Sequence, residues 1–143
     1  MQEDQMKKAL KVAKQSGNDL PIGAVIVRSG EVIACASNQK ERLNDPTAHA
    51  EILVIRQAAK RLNNWRLDDC EIYVTLEPCP MCAFALSQAR IKAVYFGAYD
   101  SLYGACNSVY NFNLNAKGGI LEKECQALLK EYFDRMRSGK NEK

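Results

Sequence analysis

Glu71-Ile72-Tyr73-Val74-Thr75-Leu76-Glu77-Pro78-Cys79-Pro80-Met81-Cys82 is the stretch on which the reading of the fold turns. From Glu71 to Leu76, the side chains of Ile72, Val74 and Leu76 alternate with Tyr73 and Thr75, the two-residue period of a β-strand. Pro80 suits the first turn of a helix, where its missing N–H costs nothing and its φ is already helical. The spacing predicts that this helix runs to about Gln88. Cys79 and Cys82 are three residues apart, so both side chains project from one face of its first turn.

Outward from this unit the same periods recur. Residues Glu3 to Ser16 read as a helix with Met6, Ala9, Leu10 and Ala13 on one face, ended by Gly17-Asn18. Ala24 to Val27 is a strand, and Ser29-Gly30 turns it into a second from Glu31 to Ala36. Asn44-Asp45-Pro46-Thr47 is a turn that supplies N-cap chemistry. The helix after it carries Ile52, Ile55, Ala59 and Leu62 at helical spacing. Ala93 to Phe96 is a further strand, closed by Gly97. Asp100 to Gly119, rich in Asn, Gly and Tyr, reads mostly as loop. A last helix begins near Leu121, with Cys125, Leu128, Leu129, Tyr132, Phe133 and Met136 expected to face inward. The order is that of an α/β layered domain with helices on both faces of a mixed sheet.

The chain has 143 residues, 47% hydrophobic. That suits one domain, 1–143, with a core of its own. It has no long apolar run, so no transmembrane helix is expected, and its first residues lack the pattern of a secretory signal. Six cysteines without such a signal argue against a disulfide framework. Cys35, Cys70, Cys106 and Cys125 are expected to be buried small hydrophobes. The net charge of +3 permits a polyanionic partner without demanding one. Lys7, Lys11 and Lys14 read as a solvated helix face. Arg135, Arg137, Lys140 and Lys143 make the C-terminus basic.

The chain's one histidine lies in Thr47-Ala48-His49-Ala50-Glu51. One neutral imidazole and two thiolates supply three ligands to a zinc ion, leaving the fourth tetrahedral position to water, as in catalytic sites. Helix N-termini favour thiolate over thiol. Zinc in such a site lowers the pKa of water from about 15.7 towards about 7. Glu51, two residues from the histidine, is then the expected proton shuttle. His49 alone would read as a core histidine, and Cys-x-x-Cys alone as a redox pair or half of a structural zinc knuckle. A structural site needs a fourth Cys or His, and no second histidine exists.

His-x-Glu followed by Pro-Cys-x-x-Cys resembles the signature of zinc-dependent deaminases. Longer strings resemble, more narrowly, the bacterial tRNA-specific adenosine deaminase family: Leu20-Pro21-Ile22-Gly23-Ala24-Val25, Asn44 through Glu51, Trp65-Arg66-Leu67, Tyr73 through Cys82, Phe96-Gly97-Ala98-Tyr99-Asp100, and the final helix with Glu124-Cys125 and Tyr132-Phe133. The resemblance runs nearly the full length. It implies a three-layer α/β/α cytidine-deaminase-like fold with a mixed five-stranded sheet, a cytoplasmic homodimer, and one zinc ion per subunit held by His49, Cys79 and Cys82. It implies hydrolysis of adenosine to inosine at the wobble position of a tRNA anticodon stem-loop, with Glu51 moving protons. On the same footing Asn38 contacts the purine, and Leu20, Pro21, Ile22 and Ala48 line the base pocket. Asp100 touches the anticodon-loop backbone or sugar, and Tyr132, Phe133 and Arg137 grip flanking nucleotides.

Several of these residues also admit plainer roles. Asn38 follows a strand and suits a turn, Asp100 suits a loop cap, one of Tyr132 and Phe133 suits core packing, and Trp65 suits packing better than base stacking. The chain departs from the family pattern at Phe84 and Asn107, where glycine is usual, at Asp134, where a base is usual, and in a short Asn107–Lys117 segment. Two other functions use the same residues. One is deamination of a free base or nucleoside, of guanine or cytidine type. The other is a zinc-stabilised RNA-binding module without catalysis.

Overall fold

The computed structural model describes residues 2–106 and 112–139. The helices and strands are α1 (Gln2–Ala13), β1 (Gly23–Arg28), β2 (Glu31–Ser37), α2 (Lys40–Leu43), α3 (Ala50–Leu62), β3 (Cys70–Leu76), α4 (Pro80–Gln88), β4 (Ala93–Ala98), β5 (Ala116–Lys117) and α5 (Glu122–Arg137). The five strands form one sheet in the order β2-β1-β3-β4-β5. β1 pairs antiparallel with both β2 and β3, whereas β3–β4 and β4–β5 are parallel. The sheet is mixed and five-stranded, as the resemblance implies.

Two apolar layers cover the sheet. On one face, Ala50, Val54 and Ala58 of α3 and Leu86 of α4 pack against Ala24, Ile26, Ile72, Val74, Val94 and Phe96. On the other, Met6 and Ala9 of α1 and Cys125 of α5 pack against Val25, Val27, Tyr73 and Ala98. Successive residues of β1 and β3 therefore go to opposite cores. This is why Tyr73 and Thr75 are buried along with Ile72 and Val74.

Several local expectations change in the folded chain. The deepest residues of α3 are Ala50, Glu51, Val54 and Ala58, while Ile52, Ile55, Ala59 and Leu62 sit on its half-buried flanks. Gly97 does not close β4 but lies inside it; a Cβ there would come within 2.2 Å of Cys125 Sγ, so glycine lets α5 seat on the strand. The strand β5 interrupts the stretch expected to be loop, and the one-turn α2 has no counterpart among the expected elements, since two and four residues carry too little periodicity to be seen. Asn44 ends α2 in the left-handed region and Asp45 accepts from Thr47 N–H and Oγ1, so the turn caps itself; the residue at the N-cap position of α3 is His49, whose side chain makes no capping bond. On α5, Cys125 is buried and Tyr132 half-buried, but Phe133 and Met136 are exposed. Cys35 is exposed and Cys106 half-buried, while Cys70 and Cys125 are buried. Trp65 is exposed, with the Arg66 guanidinium 5.4 Å from its ring. Asn107, Lys140 and Lys143 lie outside the described residues.

Candidate metal centre and active site

Two helix starts build the site. His49 is the N-cap of α3, Cys79 the N-cap of α4, Pro80 its first residue, and Cys82 lies on its first turn. Neither His49 nor Cys79 spends its side chain on capping. The cap of α3 comes instead from a distance: buried Asn38 Oδ1 accepts from Ala50 N–H at 2.8 Å. Asn38 N–H in turn donates to Ile22 O at 3.1 Å, and Gln39 N–H to Ala48 O at 3.0 Å. These bonds draw Ile22, Asn38, Ala48 and His49 together, with Ile22 and Ala48 both buried.

His49 Nδ1 lies 3.8 Å from Cys79 Sγ and 3.5 Å from Cys82 Sγ, and the three donor atoms are all within 4.8 Å of one another. A tetrahedral zinc with sulfur at about 2.3 Å and nitrogen at about 2.0–2.1 Å sets nitrogen–sulfur separations of about 3.6 Å. The donor set therefore fits zinc in both chemistry and spacing. Among the described residues no other group of His, Cys, Asp and Glu gathers in this way. Without a metal charge, the Cys82 hydrogen bond holds the Cys79 thiol down at about 4, with His49 adding to the effect. The same contact with Cys79, together with burial, pushes Cys82 up. The hydrogen bond to Cys79 raises His49, aided by the Glu51 charge and opposed by burial.

Glu51 is 4% exposed. Its Oε1 is buried and has no hydrogen-bond partner. Burial pushes its carboxyl up to about 7; the Cys79 charge adds to this, while its backbone hydrogen bond, His49 and Cys82 oppose it. A carboxyl at that level can both accept and release a proton near neutrality.

The remaining expected residues divide. Pro21 is buried and Leu20 half-buried against the core. Leu20 also lines a groove of about 620 Å³ with residues 16–19, Lys40, Glu41, Arg42, Tyr132 and Met136. Tyr132 spans that groove, its hydroxyl donating to Asn18 O at 3.3 Å. Phe133 and Arg137 stand outside it on the exposed side of α5, and Arg137 pairs with Asp134. Asp134 also meets Lys130 at 2.9 Å, so this acid is neutralised within its own helix. Asp100 caps its own loop, with Oδ1 accepting from Leu102 and Tyr103 N–H at 3.0 Å each. Sequence reasoning gave no role to Glu77, Lys40 or Arg42. For Glu77 the signal was its place directly before the metal-binding turn.

This fold with a His-Cys-Cys centre defines a zinc-binding deaminase. The family model for the cytidine and deoxycytidylate deaminase zinc-binding region matches residues 1–98. The tRNA-specific adenosine deaminase of Bacillus subtilis is 44% identical over 94% of this chain and 90% of its own length. A structure described under A-to-I editing by tRNA:A34 deaminases superposes with a TM-score of 0.84 at 43% identity, covering 88% of this chain and 99% of the other. A guanine deaminase from Bacillus subtilis superposes at 0.65 and 45% identity, over 68% of this chain and 64% of its own. The chain belongs to the tRNA-specific adenosine deaminase family within the cytidine and deoxycytidylate deaminases.

Proposed function

We propose that this chain, as a single domain, hydrolyses adenosine to inosine and ammonia at the wobble position of a tRNA anticodon. The observation that carries this reading is Glu51: a buried carboxyl with an unpartnered oxygen, placed beside the His49–Cys79–Cys82 donor set. Zinc, when bound, activates the attacking water. Glu51 accepts the proton given up by that water and returns protons to the base and to the departing ammonia. Asn38 has its oxygen committed to Ala50 N–H, so its –NH₂ is what remains to donate to an acceptor on the purine. Ile22, Pro21, Ala48 and Leu20 wall the base and exclude water.

An anticodon loop presents an unpaired base, which lowers the cost of moving it into a pocket. Lys40, Arg42 and Tyr132, lining one groove with Leu20, suit a flanking phosphate and base. Phe133, Arg137 and the Asp100 loop extend the contact. The chain is a cytoplasmic homodimer on this reading. The dimer is supported by α4, whose exposed side carries Met81 and Phe84 while Cys82, Ala83 and Leu86 are buried. Among the described residues no helix is long and apolar enough to cross a membrane.

The test is incubation with an anticodon stem-loop bearing a wobble adenosine, followed by inosine mapping. Wild type is expected to make inosine and Glu51→Ala to bind zinc without turnover. Zinc-loaded wild type making none would overturn the reading. The guanine deaminase likeness supports a second reading, hydrolysis of a free base. Turnover of guanine without sensitivity to salt would favour it, since RNA binding weakens as salt rises.

A further inference from the structure

We infer that Glu77 is a positioning residue: its buried carboxylate clamps both ends of the 100–106 loop onto the metal-binding turn and so sets the grip on substrate. Glu77 is 7% exposed. Its Oε1 accepts from Asp100 N–H at 3.1 Å and its Oε2 from Cys106 N–H at 3.2 Å. The intervening chain wraps the same group. Gly104 lies so close that a Cβ on it would be 2.2 Å from Oε1 and 2.3 Å from the carboxyl carbon. Ala105 N–H donates to Pro78 O at 3.0 Å, next to the ligand Cys79, and Gly104 N–H donates to Asp100 O at 3.0 Å. Among the described residues no ion pair includes Glu77.

A buried carboxylate with no cation is costly unless backbone N–H groups satisfy it. Here those donors sit at the two ends of one loop, so loop order and burial of the charge stabilise each other. The loop projects Leu102 and Tyr103 into solvent, 82% and 65% exposed, beside the turn that carries Cys79 and Cys82. A glutamine at 77 has the same shape but one acceptor oxygen. Its –NH₂ must then face the N–H of either Asp100 or Cys106, releasing one end of the loop.

The inference rests on the RNA-deaminase reading only for its kinetic consequence. In zinc-loaded Glu77→Gln, KM for the anticodon stem-loop should rise about tenfold, the loss expected for one charge-assisted hydrogen bond, while kcat holds within about twofold. Zinc content should stay equal to wild type. Amide hydrogen exchange should quicken at residues 100–106 and not at 79–83. Gly104→Ala, which drives a methyl into the carboxylate and against Asp100 O, loosens the same loop end and should reproduce the KM rise, and the double variant should add little. Wild-type KM in both variants, or loss of zinc together with kcat, would overturn the clamp. If wild type makes no inosine, the functional reading fails, and exchange at 100–106 still decides the clamp. Should Glu77→Gln not fold, Gly104→Ala carries the same test.

Discussion

Glu51 and Glu77 are both buried carboxyls near the cysteine pair, yet their surroundings divide the work between them. Glu77 has each oxygen engaged by a backbone N–H, which holds it in place. Glu51 has an oxygen without a partner and a carboxyl pushed to about 7 by burial, which leaves it able to exchange protons. Glu51→Gln keeps the shape and removes the ionisable carboxyl. Its turnover on the stem-loop should fall by about 10²–10⁴-fold with zinc retained, read by inosine formation and metal analysis side by side. The thiols separate in the same way. Burial pushes Cys125 up to about 12 and Cys70 to about 11, so at pH 8 both stay protonated and unreactive. Exposed Cys35 should take up iodoacetamide in the native zinc-loaded protein while Cys70 and Cys125 do not, as peptide mapping would register. The sequence marked Glu51 as the shuttle and Cys70 and Cys125 as buried, but gave Glu77 no role and placed exposed Cys35 inside. A carboxyl or a thiol shows its type there, whereas its reactivity comes from residues distant along the chain.

Among the elements, β4 and α5 are joined at Gly97. A methyl there would meet Cys125 Sγ at 2.2 Å, Cys125 Cβ at 2.9 Å and Thr75 O at 2.9 Å. Gly97→Ala should therefore destabilise the protein by about 1–3 kcal/mol through overpacking, measured by urea unfolding. Adding Cys125→Ala should recover part of the loss, because the sulfur is the nearest obstacle. The sequence announced α5 by its period but placed Phe133 and Met136 inside. Past Leu129 no residue of the helix joins the core, and only Cys125 is fully buried on it. In α3 the strongly apolar Ile52, Ile55 and Leu62 carry the helical period, but the small Ala50 and Ala58 allow the closest approach to the sheet and take the deepest positions. The long strands and helices were plain because each repeats its period several times. β5 was not, because two residues hold no period at all.

At the scale of the molecule, the metal donors bind the start of α3 to the start of α4, two helices on the same face of the sheet. Zinc binds the folded arrangement far better than the unfolded chain, so chelation should lower the melting temperature and stoichiometric zinc restore it, read by calorimetry. The exposed Phe84 on α4, with its ring 5.7 Å from that of Phe112, belongs to the same scale. For the dimer proposed above, Phe84→Asp should shift sedimentation to the monomer, since a charge placed on an apolar contact must be desolvated without a partner. The family, the donor set His49, Cys79 and Cys82, and the layered order of helices and strands were decided by sequence alone. Ligand identity is a property of residue type, and a two- or 3.6-residue period is a property of neighbours along the chain. Tertiary structure decided that Asn38 caps α3 in place of His49, that Asp100 serves its own loop, and that Glu77 holds the loop ends. The roles of Asn38 and Glu77 are hydrogen bonds across the fold, between groups that only folding brings within three ångströms or so of one another, whereas Asp100 bonds only two and three residues along, the loop cap its sequence already allowed.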